Sequence, residues 1–265
     1  MRLGILGGCG PAAGAYFYTR LVALTDARCD GDHVDVLLSG IASTPDRSSY
    51  LLNGGGNPAA ALVAAAGQLQ AGGADLILLL CHTAHAFLPE VRQAVTVPVL
   101  DMVSLTVAHA AARGMDRLGV LCTEGTYHTR LYDRAAAAHG LRVCYPQASA
   151  RAAVQQLIYG YLKQGRLDGG AAVRTACADL GAQGCPAVVL ACTELSLPGA
   201  LPQATLYYRR LRPVAFLPQM VIDPLEILAR RAILLCGKKI KEERDAVSFL
   251  AWRITHGQNA GKRHG

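Results

Sequence analysis

The chain has 265 residues, 52% of them hydrophobic and 17% charged, which suits one large domain or two of about 130 residues and is too apolar for a disordered chain. Aromatics are only 6%, so Ala, Val and Leu carry the core. Nine cysteines and 28 aperiodic glycines in so long a chain exclude collagen, coiled-coil and disulfide-scaffold classes. The net charge of +7 gathers toward the C-terminus: from Lys238 onward there are seven Lys/Arg against three Asp/Glu, with only Phe249 and Trp252 as aromatics. That composition reads as a solvated basic tail and argues against a nucleic-acid surface, as does the isolated basic knot Arg209, Arg210 and Arg212.

Short apolar runs bounded by turn residues predict strands at 3–6, 34–38, 76–80, 97–100, 118–122, 143–145, 188–191 and 220–222. None alternates polar with apolar, so each is expected to be buried on both faces. Ala-rich stretches predict helices at 12–27, 59–71, 104–113, 128–139, 150–163 and 170–183. Strand–helix alternation of this kind predicts an α/β fold with parallel sheets. The apolar stretch 59–80 is broken by Gln68, Gln70, Gly72, Gly73 and Asp75, so it reads as helix, turn and strand and not as a membrane span. Met1-Arg2 leads directly into the first strand without an apolar leader, so a cytoplasmic chain with reduced thiols is expected.

The two parts of the chain echo one another. Leu3-Gly4-Ile5-Leu6-Gly7 is answered by Leu118-Gly119-Val120-Leu121-Cys122, and the segment ending Leu80-Cys81-His82-Thr83 by the one ending Ala191-Cys192-Thr193-Glu194. Duplication of one α/β unit predicts halves at 1–102 and 103–236, followed by the basic tail 237–265. Ligands of such sheets bind beyond the carboxyl ends of the strands, so Cys81 and Cys192 are expected on opposite walls of one cleft between pseudo-repeated halves.

A cysteine where a buried strand turns into a helix meets unpaired N–H donors that favour its thiolate, and the same donors suit a substrate carboxylate. Cys81, His82, His85, Cys192 and Glu194 also contain ligand types for zinc, but His82 and His85 do not both face one cleft easily and no paired Cys-x2-Cys knuckle is present; no metal is expected. The loop Gly7-Gly8-Cys9-Gly10-Pro11 satisfies a loose dinucleotide pattern, yet the second strand ends in Leu37-Leu38-Ser39-Gly40 without the acid that would hold a ribose. Its glycines, Gly8 among them, are instead expected to let backbone amides approach a small anion. Arg47, in the loop after the second strand, is a natural carboxylate clamp, and Lys163 closes a helix as a second cation.

Together the Gly-rich first loop, Pro45-Asp46-Arg47, Cys81-x-Thr83-Ala84-His85, Ile158-Tyr159 followed by Lys163, and Cys192-Thr193-Glu194-Leu195 resemble the aspartate/glutamate racemase family, the aspartate racemase branch above all, in family order over residues 3–235. The resemblance implies a PLP-independent isomerase, with no cofactor, that interconverts the enantiomers of an acidic amino acid. Cys81 and Cys192 would be the two catalytic bases. By the same resemblance Thr83 and Thr193 would hold the α-carboxylate with first-loop amides such as that of Gly8, and Arg47 and Lys163 the side-chain carboxylate. Glu194 and His82 would complete the substrate wall, His82 standing where the family has Asn. The implied partners are a small acidic amino acid and a second copy of the chain in a homodimer. Alternatives on the same scaffold are a cysteine-dependent isomerase or lyase of a small dicarboxylate, or a non-catalytic binder of an acidic metabolite.

Overall fold

The computed structural model describes residues 1–166, 170–197 and 220–241, so the Arg209, Arg210 and Arg212 knot and nearly all of the basic tail lie outside the described residues. Two four-stranded parallel sheets carry the fold. The first is ordered β2-β1-β3-β4, from β1 (Arg2–Leu6), β2 (Asp35–Ser39), β3 (Leu76–Leu79) and β4 (Val99–Leu100). The second repeats that order as β6-β5-β7-β8, from β5 (Arg117–Cys122), β6 (Arg142–Cys144), β7 (Ala187–Ala191) and β8 (Met220–Ile222). Every pairing within them is parallel. The sequence echo is thus a structural repeat in which β1 answers β5 and β3 answers β7.

The central strands β3 and β7 are buried along their whole length, as continuous apolar runs require. The edge strand β2 departs from the expected burial on both faces: it has one paired neighbour, and Leu38 is 47% exposed. Helix α1 (Pro11–Leu24) starts with Pro at its first turn and stops short of residue 27 because Thr25 is extended and bridges Ile240. The predicted helix at 128–139 is two helices, α6 (Glu124–Thr129) and α7 (Leu131–Ala137). Arg130 between them takes a left-handed φ of 52°, and Thr123 caps α6 by accepting from the Thr126 N–H. Helix α2 (Arg47–Asn53) replaces an expected loop, because the Asp46 carboxylate accepts from the Ser49 N–H and starts a helix there. Likewise α4 (Leu88–Ala94) begins with Pro at its first turn, and α8 (Ala148–Gly160) ends before a short 3-10 turn, Leu162–Gln164. The remaining helices are α3 (Ala59–Ala71), α5 (Met102–Ala111), α9 (Gly170–Ala182) and α10 (Pro224–Leu235). Among the described residues no helix is long and apolar enough to cross a membrane.

Each sheet is covered on both faces, and the covering helices tie the halves together. Leu3, Ile5, Leu76 and Leu78 of the first sheet pack on Phe17 and Leu21 of α1 and on Leu225, Leu228 and Ile233 of α10, which follows the last strand of the second sheet. Val103 and Val107 of α5, which follows the last strand of the first sheet, pack on Leu118, Val120 and Val189 of the second. Asp101 and Asp223 cap these two exchanged helices in the same way. Each leucine buried at these contacts is worth about 1.5–3 kcal/mol, so the exchange holds the strand ends of the two sheets in one fixed relation.

The halves also meet through α2 and α6, where Gly125 lies against Ser48: a methyl group at Gly125 would stand 2.6 Å from Ser48 Oγ and 2.9 Å from its Cα. Gly125→Ala is therefore expected to lower stability by about 1–3 kcal/mol in urea unfolding. Gly67→Ala, in α3 with nothing within 4 Å of the added methyl, should raise it by about 0.5–1 kcal/mol. Equal effects of the two changes would show that the α2–α6 approach is not tight.

Candidate active site

Cys81 lies two residues beyond β3 and Cys192 immediately follows β7, equivalent places at the carboxyl ends of the repeated sheets. Both are buried, and both line one small cavity together with Cys9, Arg47, Ser48, His82, Thr83, Thr123, Tyr159, Lys163, Thr193 and Glu194. The free space for a water-sized sphere is about 10 Å³, room for about one water. Of the residues expected to act on or bind the substrate, all but Gly8 line this cavity. Gly8 turns with φ 85° and gives its missing side chain to the Ile41 backbone, which a Cβ would meet at 2.5 Å. Its neighbour Gly10 does the corresponding service for the cavity, since a Cβ there would stand 2.5 Å from Glu194 Oε1.

The electrostatics of the two thiols are opposed. Cys81 is pushed well below the ordinary thiol value by the neighbouring Cys9 thiol and by the charges of Arg47 and Lys163, which together outweigh burial. Cys192 is pushed well above it, first by burial and then by the carboxylate of Glu194. The Cys192 thiol donates to Glu194 Oε2 at 3.0 Å, and the Thr193 hydroxyl donates to the same oxygen at 3.1 Å. The other oxygen, Oε1, accepts from Lys163 Nζ at 2.9 Å. Burial would raise Glu194, but the Lys163 ammonium prevails and holds it below the usual carboxylate range.

Arg47 enters from the first turn of α2. Its guanidinium donates to the carbonyls of Thr44 (3.2 Å), Pro45 (3.0 Å) and Cys9 (2.9 Å). Its Nε is buried without a partner among the described residues. Both ring nitrogens of His82 are in the same position, and the ring stacks on Tyr132 with centroids 6.0 Å apart. Burial, then His85, drives His82 far toward its neutral form. His85 faces away from the cavity. It accepts the Met102 N–H at Nε2 (3.1 Å), so its proton sits on Nδ1, which donates to the Cys81 carbonyl at 2.8 Å. That bond fixes the backbone carrying the Cys81 thiol.

Thr83 is joined to Thr123 and Thr126 of the other half by hydroxyl contacts of 2.9 Å each. The Tyr159 hydroxyl donates to the Asp46 carboxylate at 3.1 Å, tying α8 to the cap of α2. Cys9, Ser48 and Thr123 were not singled out by the sequence. The available signal for Cys9 was its place: a thiol just past the end of β1, the strand paired with the one that carries Cys81.

A family model described as Asp/Glu/Hydantoin racemase matches residues 6–232. The broad specificity amino-acid racemase RacX of Bacillus subtilis is 26% identical over 201 residues, covering 73% of this chain and 86% of that protein. The structure of the Picrophilus torridus aspartate racemase superposes with a TM-score of 0.75 at 28% identity, covering 92% of this chain and 98% of that one. A glutamate racemase from Campylobacter jejuni shares the fold at a TM-score of 0.58 and 15% identity, over 92% of this chain and 89% of its own. Two repeated parallel sheets, a thiol past the matching strand of each, and a model match across most of the chain place the protein among these enzymes: it belongs to the Asp/Glu/hydantoin racemase family and is an amino-acid racemase.

Proposed function

We propose that the enzyme inverts Cα of an acidic amino acid, aspartate or glutamate, by proton transfer between Cys81 and Cys192 without a cofactor. The observation that carries this reading is the pair of buried thiols that line one cavity from the ends of equivalent strands, in surroundings that push Cys81 toward thiolate and Cys192 toward thiol. Inversion needs a base on one face of Cα and an acid on the other, and that is the resting arrangement. The Cys81 thiolate takes the Cα proton, the Cys192 thiol gives its own proton to the opposite face, and the product leaves with the two protonation states exchanged. Return to the resting state moves one proton back. When Cys192 is the thiolate its charge lies against Glu194, and Lys163 makes that state accessible by neutralising the carboxylate.

The carbanion is stabilised by donors to the α-carboxylate, a role we give to Thr83 and Thr193 because both line the cavity, and by exclusion of water from so small a space. The unpartnered Nε of Arg47 supports an acidic side chain as its ligand. Lys163 reaches the same space while bonded to Glu194. An amino acid is larger than the free space, so it enters only when the walls part. The aspartate racemase relative favours aspartate, and the broad specificity of RacX makes a panel of amino acids part of the test.

In D2O, wild type should wash the Cα proton out of both enantiomers, while Cys81→Ala and Cys192→Ala should each lose racemisation by about 10²–10⁴-fold and exchange only one enantiomer each. Proton NMR of L- and D-aspartate and glutamate reads this, and racemisation surviving in either variant rejects the two-thiol mechanism. The rate should be bell-shaped in pH with a broad neutral plateau, falling in acid as Cys81 protonates and in alkali as Cys192 ionises. Glu194→Gln removes the charge that raises Cys192, so its alkaline limb should move to lower pH; an unmoved limb would assign that limb to another group. Lys163→Met leaves Glu194, 3% exposed, without its counter-charge. It should lower stability by about 3–5 kcal/mol at neutral pH, with recovery as the pH falls and the stranded carboxylate protonates. A loss of stability in urea unfolding that does not change with pH would show that the pair is not what Lys163 contributes.

A further inference from the structure

A second hollow, an open groove of about 650 Å³, runs along the edge strand β6 and shares no residue with the catalytic cavity. Four arginines line it, Arg117, Arg130, Arg142 and Arg151, and no carboxylate does. Two of them are faced by acids outside the lining. Arg151 pairs with Glu124 at 3.2 Å, and Arg130 lies 3.9 Å from Asp133, which also accepts from the Tyr145 hydroxyl. The other two have no such partner. Arg117 donates to the Gln183 carbonyl, and the Arg142 side chain makes no hydrogen bond or ion pair among the described residues. Asp116, beside Arg117 in the chain, is in no ion pair among the described residues, and Asp179 accepts from the Gln147 N–H and from Gln183. Arg117 and Arg142 are also partners in register on β5 and β6, so two like charges stand on adjacent strands, an arrangement that costs stability unless an anion joins them. Arg130 is held at a cost too. It is the one non-glycine residue with a left-handed φ among the described residues, and its guanidinium lies over the rings of Tyr127 (4.4 Å) and Tyr145 (5.5 Å). Arg151 lies over Tyr127 at 4.1 Å, and the two tyrosines meet edge to face at 4.9 Å.

We propose that this groove is a second ligand site, which takes the phosphate group of a small organic phosphate. The site lies apart from the two thiols and does not depend on their role. A carboxylate is planar, and one guanidinium fork matches both of its oxygens, whereas a tetrahedral phosphate presents oxygens to two forks at once. Arg117 and Arg142 supply two forks and two uncompensated charges, which the charge of a phosphate monoester, about −1.5 to −2, offsets. The groove is larger than a phosphate alone needs and falls within the range of small-molecule sites, about 300–1,000 Å³. Val143, Pro146 and the rings of Tyr127 and Tyr145 give it apolar surface for the organic part. Arginines on an edge strand also discourage pairing with other sheets. That role needs exposed charge; it needs neither a strained Arg130 nor two like charges in register.

Isothermal titration calorimetry on the full chain at fixed ionic strength tests this with three probes: phenyl phosphate, inorganic phosphate, and phthalate, an aromatic dianion whose charges are carboxylates. Wild type should bind phenyl phosphate about threefold or more tightly than inorganic phosphate, and about tenfold or more tightly than phthalate. Arg142→Gln and Arg117→Gln should each weaken phenyl phosphate by about tenfold or more. Arg142 is exposed, so its variant should fold, and circular dichroism and melting confirm this for both. Racemisation by either variant without added phosphate should stay within about twofold of wild type, which separates the groove from the catalytic cavity. No binding of phenyl phosphate at millimolar concentration overturns the proposal. So does binding that survives both substitutions undiminished, which would put the anion elsewhere. Equal affinity for phthalate would make the groove a general anion trap and reject phosphate as its ligand, and inorganic phosphate binding as tightly as phenyl phosphate would reject the organic part. Sedimentation supplies the last check: a change of oligomeric state in Arg142→Gln would make the groove an interface between copies of the chain and overturn the ligand site.

Discussion

Lys163 and Glu194, both from the second half, meet at 2.9 Å on the cavity wall, with Glu194 only 3% exposed. A lone buried carboxylate there would be expensive and would take up a proton. With the ammonium in place it stays charged, and everything around it depends on that charge. One oxygen receives the Cys192 and Thr193 hydrogens, which keeps Cys192 a thiol. The carboxylate fills the space that Gly10 leaves beside it, and Lys163 has reach to spare for the Cys9 carbonyl. A single ion pair therefore links the turn after β7, the turn after α8 and the first loop, three of the segments that line the cavity.

The pair works only if the strand ends keep their spacing. Exchange of α5 and α10 between the sheets secures it at long range, because each half's core is completed by the helix that follows the other half's last strand. At short range the contacts are polar and few: Thr83 with Thr123 and Thr126, Tyr159 with Asp46, and the close approach of Gly125 to Ser48.

Much of this was legible in the chain. All eight strands were, because buried parallel strands are short continuous apolar runs, and so was their duplication, since the repeat keeps Cys at the end of the same strand in each half. The helices that escaped, α2, α4 and α10, are short or start at Asp or Pro signals where the composition looks like loop. Within the site, Cys81, Cys192, Arg47, Lys163 and Glu194 were recoverable from motif and position. Gly8 was misplaced because a glycine needed for close backbone approach looks the same whether a ligand or the Ile41 backbone approaches. Expecting both thiols to be lowered by helix starts was likewise incomplete. Their difference comes from surrounding charges, Arg47 and Lys163 favouring a Cys81 thiolate and Glu194 opposing one at Cys192, and the two cations lie far from Cys81 in sequence, where no local pattern reports them.

On the proposed reading, His82 is where the same physics bears on the ligand. A charged imidazole beside the Cys81 thiol would add a third cation to a cavity already lined by Arg47 and Lys163. Burial against Tyr132 keeps it neutral instead, with one donor and one acceptor nitrogen and neither bonded among the described residues. Leaving such groups unpaired costs about 1–3 kcal/mol each, a cost relieved only by a ligand that brings matching polar atoms to that wall. On the proposed reading, that wall favours a ligand with hydrogen-bonding groups over an apolar one of equal size, and it does so without adding a charge beside the thiols.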